Sequence, residues 1–302
     1  MADRRLQVFH AVAKHLSFTK AADALFMTQP AVTFQIRQLE EHFNTRLFDR
    51  VQGRITLTPA GQMALEYAER ILALSAELDT RMKERSGQVA GPLLIGASTT
   101  IAEFLLPQIL GEFKAKFPAV VPRLFVANSE AVQARIAERT LDLGFIEGES
   151  HLPSLVTDVC CDDELQVVCA PSHPLAKLKS VAPKTLTEHT YVSREPGSGT
   201  REVIDNYLQK AGVAPDSMQL VMELGSPEAL KGVAATGLAF AIMSRVTIAK
   251  EIRLGILAPV ALSPRLDRHL SVVYPKERFH SRLVNAFVDF AKKKLAAMQA
   301  AG

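Results

Sequence analysis

The chain has 302 residues, 48% of them hydrophobic and 22% charged, with a net charge of +3 at neutral pH. That composition excludes a disordered chain and allows two or three domains with ample cores, while no stretch approaches the ~20 apolar residues of a membrane span. With no basic leader before an apolar run the protein is expected in the cytoplasm.

Residues 17–40, SFTKAADALFMTQPAVTFQIRQLE, read as two short helices around a tight turn. Ser17 can cap the first, in which Phe18, Ala21, Ala22 and Leu25 form an apolar stripe; Thr28 and Pro30 start the second. Val32, Ile36, Leu39 and Phe43 recur at helical spacing and are expected to face inward, which turns Gln29, Thr33, Phe34 and Arg37 outward. Glutamine can pair with an adenine edge, arginine with guanine or a phosphate, and Thr33 or Phe34 can touch a thymine methyl. On periodicity alone, an exposed amphipathic helix pair in some other kind of domain fits as well. The next run, LFDRVQGRITLTPAGQ, puts Arg50, Arg54 and Thr56 around Gly53 between two short extended segments, a basic hairpin suited to gripping phosphate. Up to Thr58 the cations Arg4, Arg5, Lys14, Lys20, Arg37, Arg46, Arg50 and Arg54 outnumber the carboxylates, a local excess that the whole-chain charge conceals.

These runs, AxxLxxTQPAVTxQIxxLE followed by LFxRxxxxxxLTxAG, resemble the N-terminal domain of LysR-type transcriptional regulators, and the resemblance extends over essentially the whole chain. It implies a mixed α/β protein: an N-terminal all-α winged helix-turn-helix domain, a long linker helix, and a C-terminal two-lobed α/β effector domain of periplasmic-binding-protein type. The expected divisions are 1–58 for DNA binding, 59–90 for the linker and hinge, and 91–302 for regulation, with 91–162 and 267–302 in one lobe and 163–266 in the other. The implied DNA contacts are Ser17, Thr19, Gln29, Pro30, Thr33, Phe34, Arg37, Arg50 and Arg54. Phe34 departs from many relatives, which carry a polar or basic side chain there. Expected partners are double-stranded promoter DNA and further copies of the chain, as dimer or tetramer, with RNA polymerase a further candidate and no membrane.

From Thr58 to about Arg85 a helix of roughly 40 Å is expected. Along it Ala64, Ala68, Ile71, Ser75, Leu78 and Met82 alternate in steps of four and three, with Glu66, Arg70, Glu77 and Arg81 off that line; this fits a short coiled-coil seam or a helix packed on its own domain. The seam gains weight because two-fold symmetry doubles the DNA site. Residues 86–92 read as a hinge. Strands then alternate with helices: strand LLIGA, helix 101–117, strand RLFVA, helix 129–139 and strand LDLGFI, then from Asp163 LQVVCAP, YVSR, helix 198–211, MQLVMEL, helix 227–236, LAFAIM and a helix through Ile252. HLSVVYP and a helix over 281–298 return to the first lobe, so crossovers are expected near Cys161 and Asp267.

Ligands of open α/β sheets sit beyond the carboxyl ends of the strands, where helix N-termini present free N–H groups. That points to Ser98, Thr99 and Thr100, to Asn128 and Ser129, to Glu147, and across the cleft to Ser198, Gly199, Thr200 and Arg201. Hydroxyls, backbone donors and Arg201 suit a carboxylate, sulfate or phosphate, although each serine or threonine can equally serve as a helix cap. Glu147 can turn outward, pair with Arg201, or select a ligand bearing an amine or hydroxyl. EPGSGTRE and the Ser-Thr-Thr turn resemble most the sulfur-assimilation and carbon-fixation branch of the family, which implies a small anionic metabolite as effector and no cofactor. Cys160, Cys161 and Cys169 lack zinc-site spacing and read as buried thiols, with a redox switch as the alternative. No dinucleotide fingerprint, GxSxG or HExxH indicates an enzyme, and the first ninety residues argue against a solute-binding protein.

Overall fold

The computed structural model describes residues 3–51, 54–84, 89–276 and 281–301, and the chain divides into two compact units, Met1–Gln88 and Val89–Gly302. The first unit opens with α1 (Arg4–His15), a helix the sequence reading overlooked, capped by the Asp3 side chain accepting from the Arg5 amide. Its Val8, Phe9 and Val12 are fully buried. Ser17 caps α2 (Phe18–Leu25), accepting from the Lys20 amide at 3.3 Å. Phe26 then takes a left-handed conformation, φ 52°, and closes the turn, so that α3 (Gln29–Phe43) begins with Pro30 in its first turn.

Val32, Ile36 and Leu39 of α3 join Phe9, Ala21, Ala22, Leu47 and Phe48 in one core, with Phe9 and Phe18 rings 5.4 and 5.9 Å from that of Phe48. Phe43 does not follow them. It is half exposed and meets the His42 ring edge-on, because as the last residue of α3 it lies past the turn that the core reaches. A hairpin of β1 (Phe48–Val51) and β2 (Arg54–Leu57) follows, its tip at 52–53 lying outside the described residues. Glu40 at the end of α3 accepts from the amides of Leu47 and Phe48, which ties the hairpin to the helix.

Thr58 caps α4 (Pro59–Glu84) by accepting from Gly61 N at 2.9 Å. A Cβ at position 61 would come within 2.0 Å of the Leu47 carbonyl oxygen, so only glycine fits. The expected seam divides in the structure. Ala64 and Ala68 pack into the unit's own core, whereas Met63, Tyr67, Ile71, Leu74 and Leu78 are exposed along one side. The side chains of Glu77, Arg81 and Met82 lie outside the described residues.

The second unit begins with β3 (Gly91–Ser98), α5 (Thr99–Phe104), α6 (Leu106–Lys116), β4 (Val120–Ala127), α7 (Ser129–Ala137) and β5 (Leu143–Glu147), with β3 parallel to both β4 and β5. The single helix expected over 101–117 is two helices broken at Leu105, because Pro107 lacks an N–H and its ring collides with the preceding turn. Next come β6 (Leu155–Cys169), β7 (Ser180–Val181), α8 (Pro183–Leu186), β8 (Thr190–Arg194), α9 (Gly199–Lys210), β9 (Gln219–Leu224), α10 (Pro227–Ala235), β10 (Ala241–Ser244), α11 (Arg245–Arg253), β11 (Ala258–Leu262), β12 (Leu266–Pro275) and α12 (Arg282–Ala301).

Crossing between the lobes is done by β6 and β12, antiparallel partners from Leu266–Leu165 to Pro275–Leu155 with an irregularity between Leu270 and Ser271. One eight-stranded sheet results, ordered β4-β3-β5-β12-β6-β11-β7, with β10 also on β6 and β8-β9 forming a separate parallel pair. α12 covers the first lobe, where the Phe287 ring stands 4.9 Å from that of Phe113 and 6.1 Å from that of Phe145. The second lobe has cores on both faces, around Val167, Leu208 and Phe240 and around Val168, Leu230 and Ile248.

Candidate functional site

In the first unit the outward face of α3 carries Gln29, Pro30, Phe34 and Arg37 exposed and Thr33 half-buried. Gln29 Nε2 donates to Thr33 Oγ1 at 3.0 Å, and Thr33 Oγ1 donates to the Gln29 carbonyl, so the two side chains form one hydrogen-bonded unit. Ser17 is engaged as the α2 cap and Thr19 is exposed beside it. Phe26, in the turn between the helices, is 99% exposed, a feature sequence reasoning passed over. Arg50 and Arg54 oppose Ile55 and Val51 in the hairpin; their side chains lie outside the described residues.

In the second unit the predicted loops converge where the lobes meet, but they do different work. Asn128 caps α7, accepting from Ala131 N at 3.0 Å, and its Nδ2 donates across to the Pro196 carbonyl at 3.2 Å. Ser129 Oγ donates to Glu147 Oε2 at 2.8 Å. A Cβ on Gly199 would stand 2.7 Å from the Glu147 carbonyl oxygen and from Ser129 Oγ, so its lack of a side chain lets the lobes touch. The buried hydroxyls of Ser98 and Thr99 have no hydrogen-bond partner among the described residues.

Beside this contact lies a narrow pocket that Thr100 enters from the first lobe and Arg194 and Thr200 from the second. Ser244 and Thr247 add hydroxyls, and Pro227, Leu230, Ile242 and Met243 supply apolar wall. Among the described residues the lining contains one cation and no carboxylate. Ser198 makes no side-chain cap to α9, which leaves the first amides of that twelve-residue helix to act as donors.

Two expectations need correction. Arg201 does not face the pocket: it pairs with Glu223, lies 3.6 Å from Asp205 and donates to the Arg194 carbonyl. Glu147 therefore does not meet Arg201; its cationic neighbour is Arg268, at 3.9 Å. Arg194, 3% exposed and held by Glu195 at 2.8 Å, is the cation in the pocket. Arg268 lies on β12, where Leu266, Arg268 and Leu270 alternate inward with exposed Asp267 and His269; a charged residue at an inward position was the missed signal. It opposes Asp163 in register. Lys231 flanks the pocket, bonded to Glu228 at 2.6 Å and Glu251 at 2.8 Å, with its ammonium 5.2 Å from the Phe104 ring.

Cys160 and Cys161 are neighbours on β6 and Cys169 ends that strand. Burial pushes their thiols up to about 11, about 12 and about 11 respectively, which disfavours the thiolate form. Among the described residues no group of three or more His, Cys, Asp or Glu could hold a metal ion, and no helix is long and apolar enough to cross a membrane.

Comparison with known proteins places both units. Residues 4–62 match the family model for bacterial regulatory helix-turn-helix proteins of the lysR family, and residues 86–296 match that for the LysR substrate binding domain. The chain is 35% identical to a protein of Cyanophora paradoxa named "Probable RuBisCO transcriptional regulator", over 94% of this chain and 89% of that one. The regulatory domain of CcmR from Synechocystis PCC6803, solved in complex with 2-PG, is 27% identical, with a TM-score of 0.62 over 67% of this chain and 96% of that chain. Full-length CbnR, solved with its target DNA, shares the fold at 23% identity and a TM-score of 0.68, covering 97% of this chain and all of that one. With an exposed helix-turn-helix face in one unit, a polar pocket in the other and both family models matched in the same order, the chain belongs to the LysR family of transcriptional regulators.

Proposed function

We propose that the protein is a promoter-bound switch whose effector is a small oxyanion held between the lobes of the second unit. The observation that carries this reading is the lining of the pocket: Thr100, Thr200 and Arg194, the last held by Glu195, converge beside the uncapped start of α9, and no carboxylate is among the described lining residues. The complex of CcmR with 2-PG supports it. The exposed face of α3 reads bases through Gln29, Phe34 and Arg37, with Thr33 as a methyl contact, while Ser17, Thr19, Pro30, Arg50 and Arg54 serve the backbone. The exposed row Met63, Tyr67, Ile71, Leu74 and Leu78 on α4, spaced by fours and a three, serves pairing with a second copy. Effector favours the closed arrangement of the lobes and shifts an equilibrium between DNA-bound geometries of the oligomer.

A thermal-shift screen of small oxyanions on the full chain tests the effector assignment, since a ligand at a hundred times its dissociation constant adds about 2.7 kcal/mol. Stabilisation that vanishes in Thr100→Ala, with operator affinity retained, is the expected result. Stabilisation of that variant equal to the unaltered chain would remove the pocket from the account.

A further inference from the structure

We infer that Arg268 is a positioning residue for effector recognition: it fixes the hydroxyl of Thr200 so that the pocket presents a hydrogen-bond donor to the ligand. This rests on the reading of the pocket as an oxyanion site. Arg268 is 3% exposed and sits on β12, one of the two strands that cross between the lobes. Its Nε donates to Asp163 Oδ2 at 2.8 Å, and Nη2 lies at the same distance from that oxygen. Its Nη1 donates to Thr200 Oγ1 at 2.7 Å. Asp163 is itself fixed from the second lobe, its Oδ1 accepting from Ser244 Oγ at 2.7 Å.

A hydroxyl has one proton and can also accept, whereas a guanidinium only donates. Thr200 therefore accepts from Arg268 and must turn its proton elsewhere, and Thr200 is a lining residue of the pocket. The other lining hydroxyls of the second lobe are spent differently. Ser244 gives its proton to Asp163, and Thr247 gives its own to the Ser244 carbonyl at 2.7 Å. Thr200 is thus the second-lobe hydroxyl whose polarity is set toward donation, and the group that sets it is a charged side chain anchored on the crossover strands. Glu147 Oε1 competes for the same guanidinium from 3.9 Å, beyond hydrogen-bond reach, and it has no hydrogen-bond partner among the described residues. Weakening the Asp163 anchor lets Arg268 move to Glu147 and release Thr200.

The test is a double-mutant cycle on the full chain, with dissociation constants for inorganic sulfate and inorganic phosphate measured by calorimetry. Arg268→Lys and Thr200→Val are each expected to weaken anion binding about tenfold, and the double variant to be no weaker than Thr200→Val within about twofold. Thr200→Ser, which keeps the hydroxyl, is expected to bind like the unaltered chain and to lose about tenfold again when combined with Arg268→Lys. A purely structural arginine would instead give losses that multiply to about a hundredfold in the double variant, and that outcome overturns the inference alone. Failure of the unaltered chain to bind either anion overturns the oxyanion reading and this inference with it. If Arg268→Lys does not fold, as judged by its melting transition, Asp163→Asn takes its place in the same cycle, with the same two outcomes.

Discussion

The two units bring their candidate site residues together over different ranges of sequence. In Met1–Gln88 the outward side chains described at the α2 and α3 helices fall between Ser17 and Arg37, and what aims them is the burial of Val32, Ile36 and Leu39 on the same short helix. In Val89–Gly302 the pocket draws on Thr100, Arg194, Thr200 and Thr247, and the cation beneath Thr200 arrives from β12 at residue 268. A DNA-reading face can be specified by one helical period; a ligand site between lobes depends on strand register and on chain crossings. The first kind of site depends on one small core, shared with Phe9, Leu47 and Phe48, whereas the second is exposed to substitutions far away in sequence.

The largest effect that sharpens this contrast comes from the cores. Phe9→Ala and Phe287→Ala each remove a fully buried ring and are expected to cost about 3–5 kcal/mol. Hydrogen exchange followed by mass spectrometry should show Phe9→Ala accelerating exchange within 3–84 and Phe287→Ala within 89–301. Acceleration spread evenly over both stretches by either variant would erase the distinction between two separately cored units.

A smaller effect is expected at α4. Leu74→Ser and Leu78→Ser remove exposed apolar side chains from the proposed pairing row, and each should weaken self-association by about 1.5–3 kcal/mol if that row is buried between copies. Sedimentation velocity over a range of concentrations reads the shift, and an unaltered association profile in the double variant would remove the pairing role. Smallest of all is the cysteine set. With thiols at about 11 to 12, on the order of one in ten thousand or fewer is ionised at pH 7. Thiol reagents should label the folded chain far more slowly than the unfolded chain, and the unaltered chain and the variant with all three cysteines replaced by serine should behave alike in operator binding with and without peroxide. Rapid labelling of Cys160 in the folded protein would reopen a redox role.

What the sequence made legible follows the same division. Helix caps and apolar spacing are local, so the α2–α3 pair, the hairpin and the alternation of strands and helices after Gly91 could be read directly. Phe43 departs from the expected burial because periodicity does not say where a core ends, and the break at Leu105 in the expected helix 101–117 follows from Pro107, a local signal. Thr100 and Thr200 were legible as loop residues at strand ends. Arg201 is adjacent in sequence to the Ser-Gly-Thr turn, yet Glu223 on β9 holds it, while Arg194 and Arg268 occupy the buried positions. The charged residue at an inward position of β12 is the local signal for Arg268, but its pairing with Asp163, 105 positions away in sequence, is set by strand register and has no local signature.

The proposed base-reading role of α3 has a direct test. Binding of the full chain and of Gln29→Ala to operator and to random duplex, each measured across a series of salt concentrations, separates base reading from phosphate attraction. The expected result is a loss of about 1–3 kcal/mol in preference for operator over random DNA, with the salt dependence unchanged. Undiminished preference in Gln29→Ala, or an equal loss on both DNAs, would contradict it.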